Sequence, residues 1–283
     1  MIIRATCFGF LGVVALSTHV ATAAERVQFE SARYQVGPLQ RRLALERHEP
    51  VFQPPASIII GYLTKPDGPG PFPAVVHLHG CSGLADDVKT GVVDQFWAER
   101  LAAWGYAVLV VDSFTTRGIS STCSGESAPR VADAYGALAW LARQPFVDAN
   151  QIGVLGFSAG GIAVLHIAEA HDFELFENES EHAFRAAVAF YPMCASDNPM
   201  KIPTLILIGE LDDWSPARAC RSTAASRTGG SPVKLIVYPG AYHSFDVPRP
   251  GRRYFGHWLE YNAAATEQAT QEVRSFLAEQ LGR

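Results

Sequence analysis

Several features that would commit a chain to a membrane or to nucleic acid are missing from this sequence. Beyond residue 24, no apolar run approaches the roughly 20 residues that a membrane-spanning helix needs. The 23 basic and 28 acidic residues form no Lys/Arg cluster of the kind that binds nucleic acid. Internal repeats, low-complexity tracts and Gly/Ser linkers are also absent. These absences favour one folded domain with a small molecule as its partner.

The N-terminal segment is the exception to this pattern. It contains Arg4, an apolar stretch at 8–16 and small residues at 21–24, an arrangement typical of a secretory signal peptide and its cleavage site. A membrane anchor is the alternative, but the apolar stretch is too short to span a bilayer, and no cysteine follows the small residues as in a lipoprotein. We therefore expect a signal peptide over residues 1–24, a mature domain over 25–283, and a secreted or periplasmic location.

Short apolar segments alternate with segments of helical pattern along the rest of the chain. The predicted strands are 57–63, 74–78, 107–111, 152–155, 186–190, 204–208 and 233–238. The predicted helices are 92–104, 128–143, 160–170, 216–226 and 263–281. Strands that are apolar at every position are covered on both faces. The pattern therefore predicts an α/β architecture, with a mostly parallel central sheet of about seven to eight strands, helices on both faces, and an antiparallel edge from 26–63.

Cysteine is scarce, and its placement predicts disulfides. Of five cysteines, Cys7 falls within the predicted signal peptide. The other four, an even number, suit an oxidising compartment. Cys81 and Cys123 follow two strands that are expected to be neighbours in such a sheet, and Cys194 and Cys220 follow another such pair. Of three possible pairings we favour Cys81 with Cys123 and Cys194 with Cys220, free thiols being the alternative.

A serine flanked by glycines follows the predicted strand 152–155. Residues 156–160 form a G-x-S-x-G motif, and a helical pattern begins directly after it. In such a sharp strand-to-helix turn the serine is strained, and only glycine lets the neighbouring backbone pass. The alternative is an ordinary turn, in which the serine would need no partners. The context favours Ser158 as a nucleophile.

A nucleophilic serine needs an imidazole base, and the imidazole needs a carboxylate that fixes its tautomer. In a mostly parallel sheet these groups lie at the carboxyl ends of strands. His243 follows the last predicted strand after a short turn, whereas the competing His257 lies deeper in an aromatic-rich loop. Asp212 and Asp213 both follow strand 204–208, and Asp213 alternatively caps the next helix. With either acid the chain order is Ser, Asp, His, the order found in α/β-hydrolases.

Attack of the serine on a carbonyl carbon creates an oxyanion, which needs two preorganised N–H donors. In this fold the amide after the nucleophile, that of Ala159, supplies one donor. We expect the other from Cys81, in the glycine-containing loop 79–83. His77 and His79 suggest a metal site as an alternative, but no third ligand has a fitting spacing. The predicted mechanism needs neither a metal nor a cofactor.

With these positions assigned, the chain resembles the dienelactone hydrolase family of α/β-hydrolases from about residue 58 to residue 281. The resemblance rests on His79-Gly80-Cys81, Asp112-Ser113-Phe114 with Arg117-Gly118, Gly156-Phe157-Ser158-Ala159-Gly160-Gly161, Gly209-Glu210-Leu211-Asp212 and His243-Ser244-Phe245. In such families the acid is the fourth residue of a G-E-x-D turn, which selects Asp212. The family's namesake has a cysteine nucleophile and a glutamate in its oxyanion loop, where this chain has Ser158 and Gly80. The resemblance therefore implies a serine-dependent variant that hydrolyses esters or lactones.

The resemblance also implies a substrate contact for Arg117, because members of the family can place an arginine near this position to hold a carboxylate. Pairing with a local carboxylate is the alternative. Tyr242 and Trp214 are candidates for the wall of an apolar pocket, the alternative being a place in the core. The irregular stretches 171–184 and 248–262 are candidate lids or pocket walls, or else surface loops.

The sequence thus predicts a serine esterase or lactonase that works through an acyl-enzyme. One alternative is a serine peptidase of the prolyl-oligopeptidase type, which shares the sheet and the order of catalytic residues but usually carries a large extra gating domain. Another is a catalytically silent hydrolase fold that serves as a binding protein. Such proteins typically lose a catalytic residue, whereas Ser158, Asp212 and His243 are all present here.

Overall fold

The structure of the protein is a computed structural model, and it describes residues 24–51, 53, 55–84, 94–171, 176, 178, 180–226 and 229–282. The expected signal peptide therefore lies outside the described residues, apart from Ala24. Within the described ranges, each helix is too short or too polar to traverse a bilayer.

The described secondary structure follows the predicted alternation of strands and helices. The strands are β1 (Glu25–Glu30), β2 (Ile58–Thr64), β3 (Phe72–Leu78), β4 (Ala107–Asp112), β5 (Val147–Phe157), β6 (Ala186–Phe190), β7 (Thr204–Gly209), β8 (Val233–Tyr238), β9 (Arg252–Tyr254) and β10 (His257–Leu259). The helices are α1 (Pro38–Arg47), α2 (Asp94–Ala103), α3 (Arg130–Ala142), α4 (Ala159–Ala168), α5 (Ala217–Ser226) and α6 (Ala263–Leu281). A 3₁₀ turn at Thr115–Arg117 follows β4.

The strands β1 to β8 form one sheet in the order β1-β2-β4-β3-β5-β6-β7-β8. β1 pairs antiparallel with β2, and β2 pairs antiparallel with β4. Every other pairing in this sheet is parallel. The prediction of a mostly parallel sheet with an antiparallel edge is therefore confirmed.

Helices cover both faces of the sheet, as β5 illustrates. Successive side chains of a strand point to opposite faces, so residues three apart, Gly153 and Gly156, face opposite sides. A Cβ atom on Gly153 would lie 3.1 Å from Leu281 of α6, and one on Gly156 would lie 2.9 Å from Val164 of α4. β5 thus lies between α6 and α4. Being covered on both sides explains why its second half is apolar throughout.

The core lies along the central strands, and it places the loops that matter for chemistry. β3, β4, β6 and β7 are buried at every position, as their mostly apolar sequences predict. The edge strand β8 is only partly buried. Because β3 to β8 run parallel, their carboxyl ends share one edge of the sheet, where ligands bind in folds of this kind.

The structure adds a helix and two short strands that periodicity does not predict. Helix α1 has no buried residue, so no apolar stripe marks it in the sequence. The strands β9 and β10 have three residues each and pair only with one another. Three residues are too few for an alternating pattern to be recognised. The stretches 26–63 and 248–262 are therefore more ordered than expected.

Both expected disulfides are present. Cys81 is bonded to Cys123 and Cys194 to Cys220, with Cα–Cα distances of 4.9 Å and 5.0 Å. The expected reason also holds: β3 neighbours β4 and β6 neighbours β7 in the sheet, so the segments that follow each pair of strands lie close together. Cys81, Cys123 and Cys194 lie in loops that follow β3, β4 and β6, and Cys220 lies in α5, the helix that follows β7.

Removing the second disulfide should destabilise the protein. In the variant Cys194→Ala/Cys220→Ala, the loop of 26 residues is no longer closed in the unfolded chain, and we expect a loss of about 3 kcal/mol in the free energy of unfolding. Urea unfolding under oxidising conditions measures this quantity. A midpoint equal to that of the oxidised parent protein would contradict the expectation, and the parent protein in reductant is the control.

Candidate active site

Ser158 occupies a sharp turn between β5 and α4. Its backbone has φ 50° and ψ −113°, a conformation that a residue other than glycine rarely adopts. Its amide donates to the carbonyl of Phe190 at 2.9 Å. A Cβ atom on Gly156 would lie 2.4 Å from the carbonyl oxygen of Gly160, and one on Gly160 would lie 2.3 Å from that of Leu78. The two motif glycines are therefore required by the close approach of backbone on either side of the strained serine.

The structure brings Ser158, His243 and Asp212 together. Nε2 of His243 lies 3.0 Å from Oγ of Ser158, and Nδ1 of His243 lies 2.8 Å from Oδ2 of Asp212. His243 and Asp212 are buried, with 1% and 4% of their surface exposed. The Asp212 carboxylate can only accept, so Nδ1 carries the proton and Nε2 is left to accept from the Ser158 hydroxyl. This is the tautomer that a general base needs.

Asp212 also organises the turn from which it projects. Its second oxygen, Oδ1, accepts hydrogen bonds from the amides of Trp214 at 3.0 Å and Ser215 at 2.7 Å. One carboxylate thus fixes the backbone after β7 and holds the imidazole. From the sequence alone, a capping role of this kind is the alternative expected for Asp213.

The two competing residues form a pair of their own. Nδ1 of His257 lies 3.4 Å from Oδ1 of Asp213, and both side chains are partly exposed. Trp214 lies between the two sites: its ring stacks on His257 at 4.8 Å and lies 5.2 Å from His243. His257 and Asp213 are therefore separated from the contacts of Ser158.

A cleft of about 530 Å³ of empty space, partly open to solvent, lies over these side chains. It is lined by Gly80, Cys81, Ser82, Gly83, Phe157, Ser158, Tyr191, Trp214, His243, Ser244, Val247, Tyr254 and Leu259. The loop that carries Gly80 and Cys81 runs close to the nucleophile, because a Cβ atom on Gly80 would lie 3.8 Å from Cβ of Ser158. The residues of β9 and β10 that line the cleft make part of 248–262 a pocket wall.

The part of the chain that matches a protein family nearly coincides with the part that carries the motifs, from about residue 58 to residue 281. Residues 59–281 match the model of the dienelactone hydrolase family. The chain belongs to the dienelactone hydrolase family. This membership places it among hydrolases.

Relatives of this dienelactone hydrolase family member include two curated enzymes. The chain is 26% identical over 235 residues to dipeptidyl-peptidase 5 of Porphyromonas gingivalis, covering 67% of this chain and 33% of that protein. It is 23% identical over 211 residues to a probable 2-oxo-3-(5-oxofuran-2-ylidene)propanoate lactonase of a Bradyrhizobium species, covering 66% of this chain and 78% of that protein. The chain therefore spans a third of the peptidase and most of the lactonase.

The fold of this dienelactone hydrolase family member also matches solved structures. One is a dienelactone hydrolase-like promiscuous phosphotriesterase from metagenomic libraries, with a TM-score of 0.62 and 22% identity. The match covers 92% of this chain and 100% of that chain. At this identity the comparison shows a common fold.

Arg117 is paired with a carboxylate of its own chain in this dienelactone hydrolase family member. Its two terminal nitrogens bind the two carboxylate oxygens of Asp133 at 2.8 Å and 2.7 Å, and it also donates to the carbonyl of Ser113 at 2.8 Å. Burial raises the pKa of Asp133, and the bond with Arg117 opposes that shift. The local pairing that the sequence left as an alternative is observed, and Arg117 is not among the residues that line the cleft over Ser158.

The other two candidate pocket residues, Trp214 and Tyr242, differ in whether they line the cleft. Trp214 lines the cleft. Tyr242 does not, and its ring instead packs edge-on against Trp258 at 6.4 Å. Phe245, a neighbour of Tyr242, is fully buried in the core. Only Trp214 of the aromatic candidates is therefore placed where it can contact a substrate.

Two residues near His243, Tyr191 and Asp246, are not predicted from the sequence. The ring of Tyr191 lies 4.7 Å from that of His243 and lines the cleft. Its hydroxyl donates to Asp246 at 2.8 Å, and the indole of Trp97 donates to the same carboxylate at 2.8 Å. Burial raises the pKa of Asp246, while these two donors oppose the shift. Tyr191 directly follows β6, so the rule that candidate residues follow strands could have found it.

The histidine pair at the carboxyl end of β3, His77 in the strand and His79 directly after it, is buried. Burial lowers the pKa of His77 to about 3, with a further contribution from His79. Burial also lowers the pKa of His79 to about 4, aided by the charge of Arg130. A protonated imidazole is therefore disfavoured at both positions.

Among the described residues, one cluster has donors suited to a metal ion, at the far end of α4. The ligand atoms of His166, Glu169 and His171 lie within 4.8 Å of one another. Nε2 of His171 binds the carbonyl of His166 at 2.8 Å. α4 has ten residues, so at 1.5 Å per residue the cluster lies roughly 15 Å from Ser158 and takes no part in the cleft.

The buried histidines should make the protein less stable in acid. Their folded pKa values lie below the ordinary 6.5, so the unfolded chain binds more protons, and stability falls as the pH drops from 6.5 toward 4. In His77→Gln one of these groups is gone. We expect the slope of unfolding free energy against pH in this window to decrease by about 1.4 kcal/mol per pH unit.

Urea unfolding of the parent protein and of His77→Gln between pH 4.5 and 6.5 measures this slope. Titrating groups that do not interact with His77 are common to both proteins and cancel in the difference. Parallel slopes would show that His77 binds as many protons in the folded protein as in the unfolded chain, so that its pKa is not lowered by folding.

Proposed function

We propose that the protein is a serine hydrolase that cleaves carboxylic ester or lactone bonds through an acyl-enzyme. The observation that supports this most directly is the hydrogen-bonded series from Ser158 through His243 to Asp212 at the floor of an open cleft. Membership in the dienelactone hydrolase family supports the same class of reaction.

In the proposed reaction, Oγ of Ser158 attacks the carbonyl carbon of the substrate while its proton passes to Nε2 of His243. The imidazolium that forms is stabilised by the carboxylate of Asp212. When the C–O bond to the leaving group breaks, the proton on Nε2 passes to the departing alkoxide. A water molecule then attacks the acyl-enzyme by the same route and releases the acid.

The tetrahedral intermediate carries a negative charge on the former carbonyl oxygen. We assign its two donors to the amides of Ala159 and Cys81. Ala159 is the first residue of α4, and amides at a helix N-terminus favour an anion. Cys81 lines the same cleft as Ser158. None of these steps uses a cofactor.

A panel of short p-nitrophenyl esters and of small lactones tests the proposal. We expect turnover of at least one class, and labelling of the folded protein by a fluorophosphonate with one probe per chain on the peptide that contains Ser158. A folded protein that is neither labelled nor active would favour the silent binding protein instead.

A serine peptidase is the second candidate, favoured by the similarity to dipeptidyl-peptidase 5. The same three residues can cleave an amide, but expulsion of an amine depends more strongly on protonation by the imidazolium than expulsion of an alcohol. Paired assays with p-nitrophenyl esters and dipeptidyl p-nitroanilides separate the candidates. A higher kcat/KM for the anilides would replace the esterase proposal.

We also propose that residues 1–24 form a signal peptide and that 25–283 form one hydrolase domain outside the cytoplasm. The two disulfides support an oxidising compartment. The mass of the chain recovered from the culture medium or periplasm tests this proposal. A mass equal to that of all 283 residues would exclude cleavage.

A further inference from the structure

Arg130 is a buried cation that the proposed mechanism does not use. It is the first residue of α3 and has 6% of its surface exposed. Burial lowers the pKa of Arg130 to about 10, and the nearby Asp133 opposes the shift, so the guanidinium is charged at neutral pH. Burying a charge is costly unless it is well paired. The groups that pair with the Arg130 guanidinium must therefore offset the cost of burying its charge.

Those contacts lead to the loop beside the nucleophile. Nη2 of Arg130 donates to the carbonyl oxygen of Gly80 at 3.2 Å and to Oγ1 of Thr122 at 3.1 Å. The guanidinium lies over the ring of Phe114, 4.8 Å from its centroid. Arg130 thus links α3 to the backbone of loop 79–83.

A second donor meets the same carbonyl oxygen. Nδ1 of His79 lies 2.7 Å from the Gly80 oxygen, and since a carbonyl only accepts, Nδ1 carries the proton. The amide of Ser113 donates to Nε2 of His79 at 3.3 Å, which requires the same neutral tautomer. The Gly80 oxygen therefore accepts bonds from both Arg130 and His79, and the amide of Gly83 donates to it as well at 3.3 Å.

This arrangement determines the direction of the Cys81 amide. The Gly80–Cys81 peptide unit is planar, and in a trans peptide the C=O and N–H groups point in opposite directions. The donors on Arg130, His79 and Gly83 that hold the Gly80 oxygen therefore direct the Cys81 N–H to the other side. The carbonyl of Cys81 is held as well, by the amide of Thr122 at 2.8 Å. The Cys81–Cys123 bond adds a covalent restraint.

We propose that Arg130 is a positioning residue for the oxyanion donor: through the Gly80 carbonyl it orients and polarises the peptide whose N–H, on Cys81, stabilises the tetrahedral intermediate. A bond from a cation to a carbonyl oxygen strengthens the N–H of the same peptide as a donor. The inference rests on the proposed function, since it concerns the same oxyanion.

The variants Arg130→Met and Arg130→Lys test the inference with a p-nitrophenyl ester. Removing one oxyanion donor costs about 100- to 1,000-fold in kcat, and weakening one should cost less. We expect Arg130→Met to lower kcat by roughly 10- to 100-fold with little change in KM, because the donor acts on the transition state. Arg130→Lys keeps the charge and a donor, and it should recover most of the loss.

A boronic acid inhibitor gives a readout that a general structural defect would not produce. It forms a tetrahedral adduct on the serine and so mimics the intermediate. Its affinity should fall by the same factor as kcat/KM in Arg130→Met and return in Arg130→Lys. Arg100→Met is the matched control, since Arg100 of α2 also lies over an aromatic ring, 4.2 Å from the centroid of Phe96, but lies outside the cleft lining; its kcat should not change.

The outcomes distinguish the two proposals. If the parent protein hydrolyses the ester and is labelled on Ser158, but folded Arg130→Met keeps its kcat and its boronate affinity, the role of Arg130 is excluded and the proposed function stands. A loss in Arg130→Met that Lys does not restore, with KM raised in step, would indicate a merely structural residue. A parent protein without activity or labelling would remove the proposed function itself.

Discussion

Replacing Ser158 by alanine is expected to lower kcat/KM for a short p-nitrophenyl ester by roughly 10⁴- to 10⁶-fold, the range seen when a catalytic serine is lost and only binding and oxyanion stabilisation remain. The hydroxyl is the atom that His243 Nε2 approaches at 3.0 Å. Alanine removes the nucleophile and leaves Gly156, Gly160 and the turn unchanged. The unfolding midpoint should therefore stay close to that of the parent protein.

The control for this variant is Ser244→Ala. Ser244 also lines the cleft, and its φ of 58° is left-handed like that of Ser158. Loss of a serine from this conformation and this cleft is thus common to both variants, whereas loss of the proposed nucleophile is not. We expect a far smaller effect in Ser244→Ala, and fluorophosphonate labelling should persist there. Comparable losses in both variants would remove the assignment of Ser158.

Replacing Asp212 by asparagine should lower kcat by about 10⁴-fold, as an incorrect histidine tautomer does in serine proteases. Oδ1 of Asp212 accepts from two backbone amides, and the oxygen of asparagine will keep that place. The amide nitrogen then faces Nδ1 of His243 and donates to it. Nδ1 must give up its proton, so Nε2 carries one and can no longer accept from Ser158.

Asp213→Asn is the matched control for this prediction. Asp213 is half exposed and contacts His257 and the amide of Trp258, outside the contacts of Ser158. Its substitution should change kcat only slightly. Values of kcat for both variants between pH 6 and 9 provide the measurement. A larger loss in Asp213→Asn than in Asp212→Asn would mean that the acid is assigned to the wrong residue.

Much of the architecture can be predicted because buried parallel strands have a strong local signature. The strands 186–190 and 233–238 and the helix 263–281 were predicted with the bounds that the structure has. The candidate site follows from the same signature, since Ser158, Asp212 and His243 each follow such a strand. Their roles remain proposals, but the structure does place them within hydrogen-bond distance.

The parts that sequence reasoning missed depend on contacts between distant segments. The pairing of Arg117 with Asp133 is decided by where α3 begins, which spacing does not reveal. Arg130 reaches Gly80, 50 residues away in the chain, and no motif relates the two. Asp246 binds Trp97 across 149 residues. Such partners are set by how helices pack on the sheet, so only the structure identifies them.

The Cys81–Cys123 bond links the redox state of the protein to the chemistry of the cleft. Cys81 lines the same cleft as Ser158. In a reducing compartment the disulfide would open, and the free thiol of Cys81 would lie next to the proposed nucleophile, where it can be oxidised or bind soft metal ions. Changing Cys81 alone would leave Cys123 without its partner. A form of the protein without this bond therefore needs changes at both positions if it is to carry no free thiol.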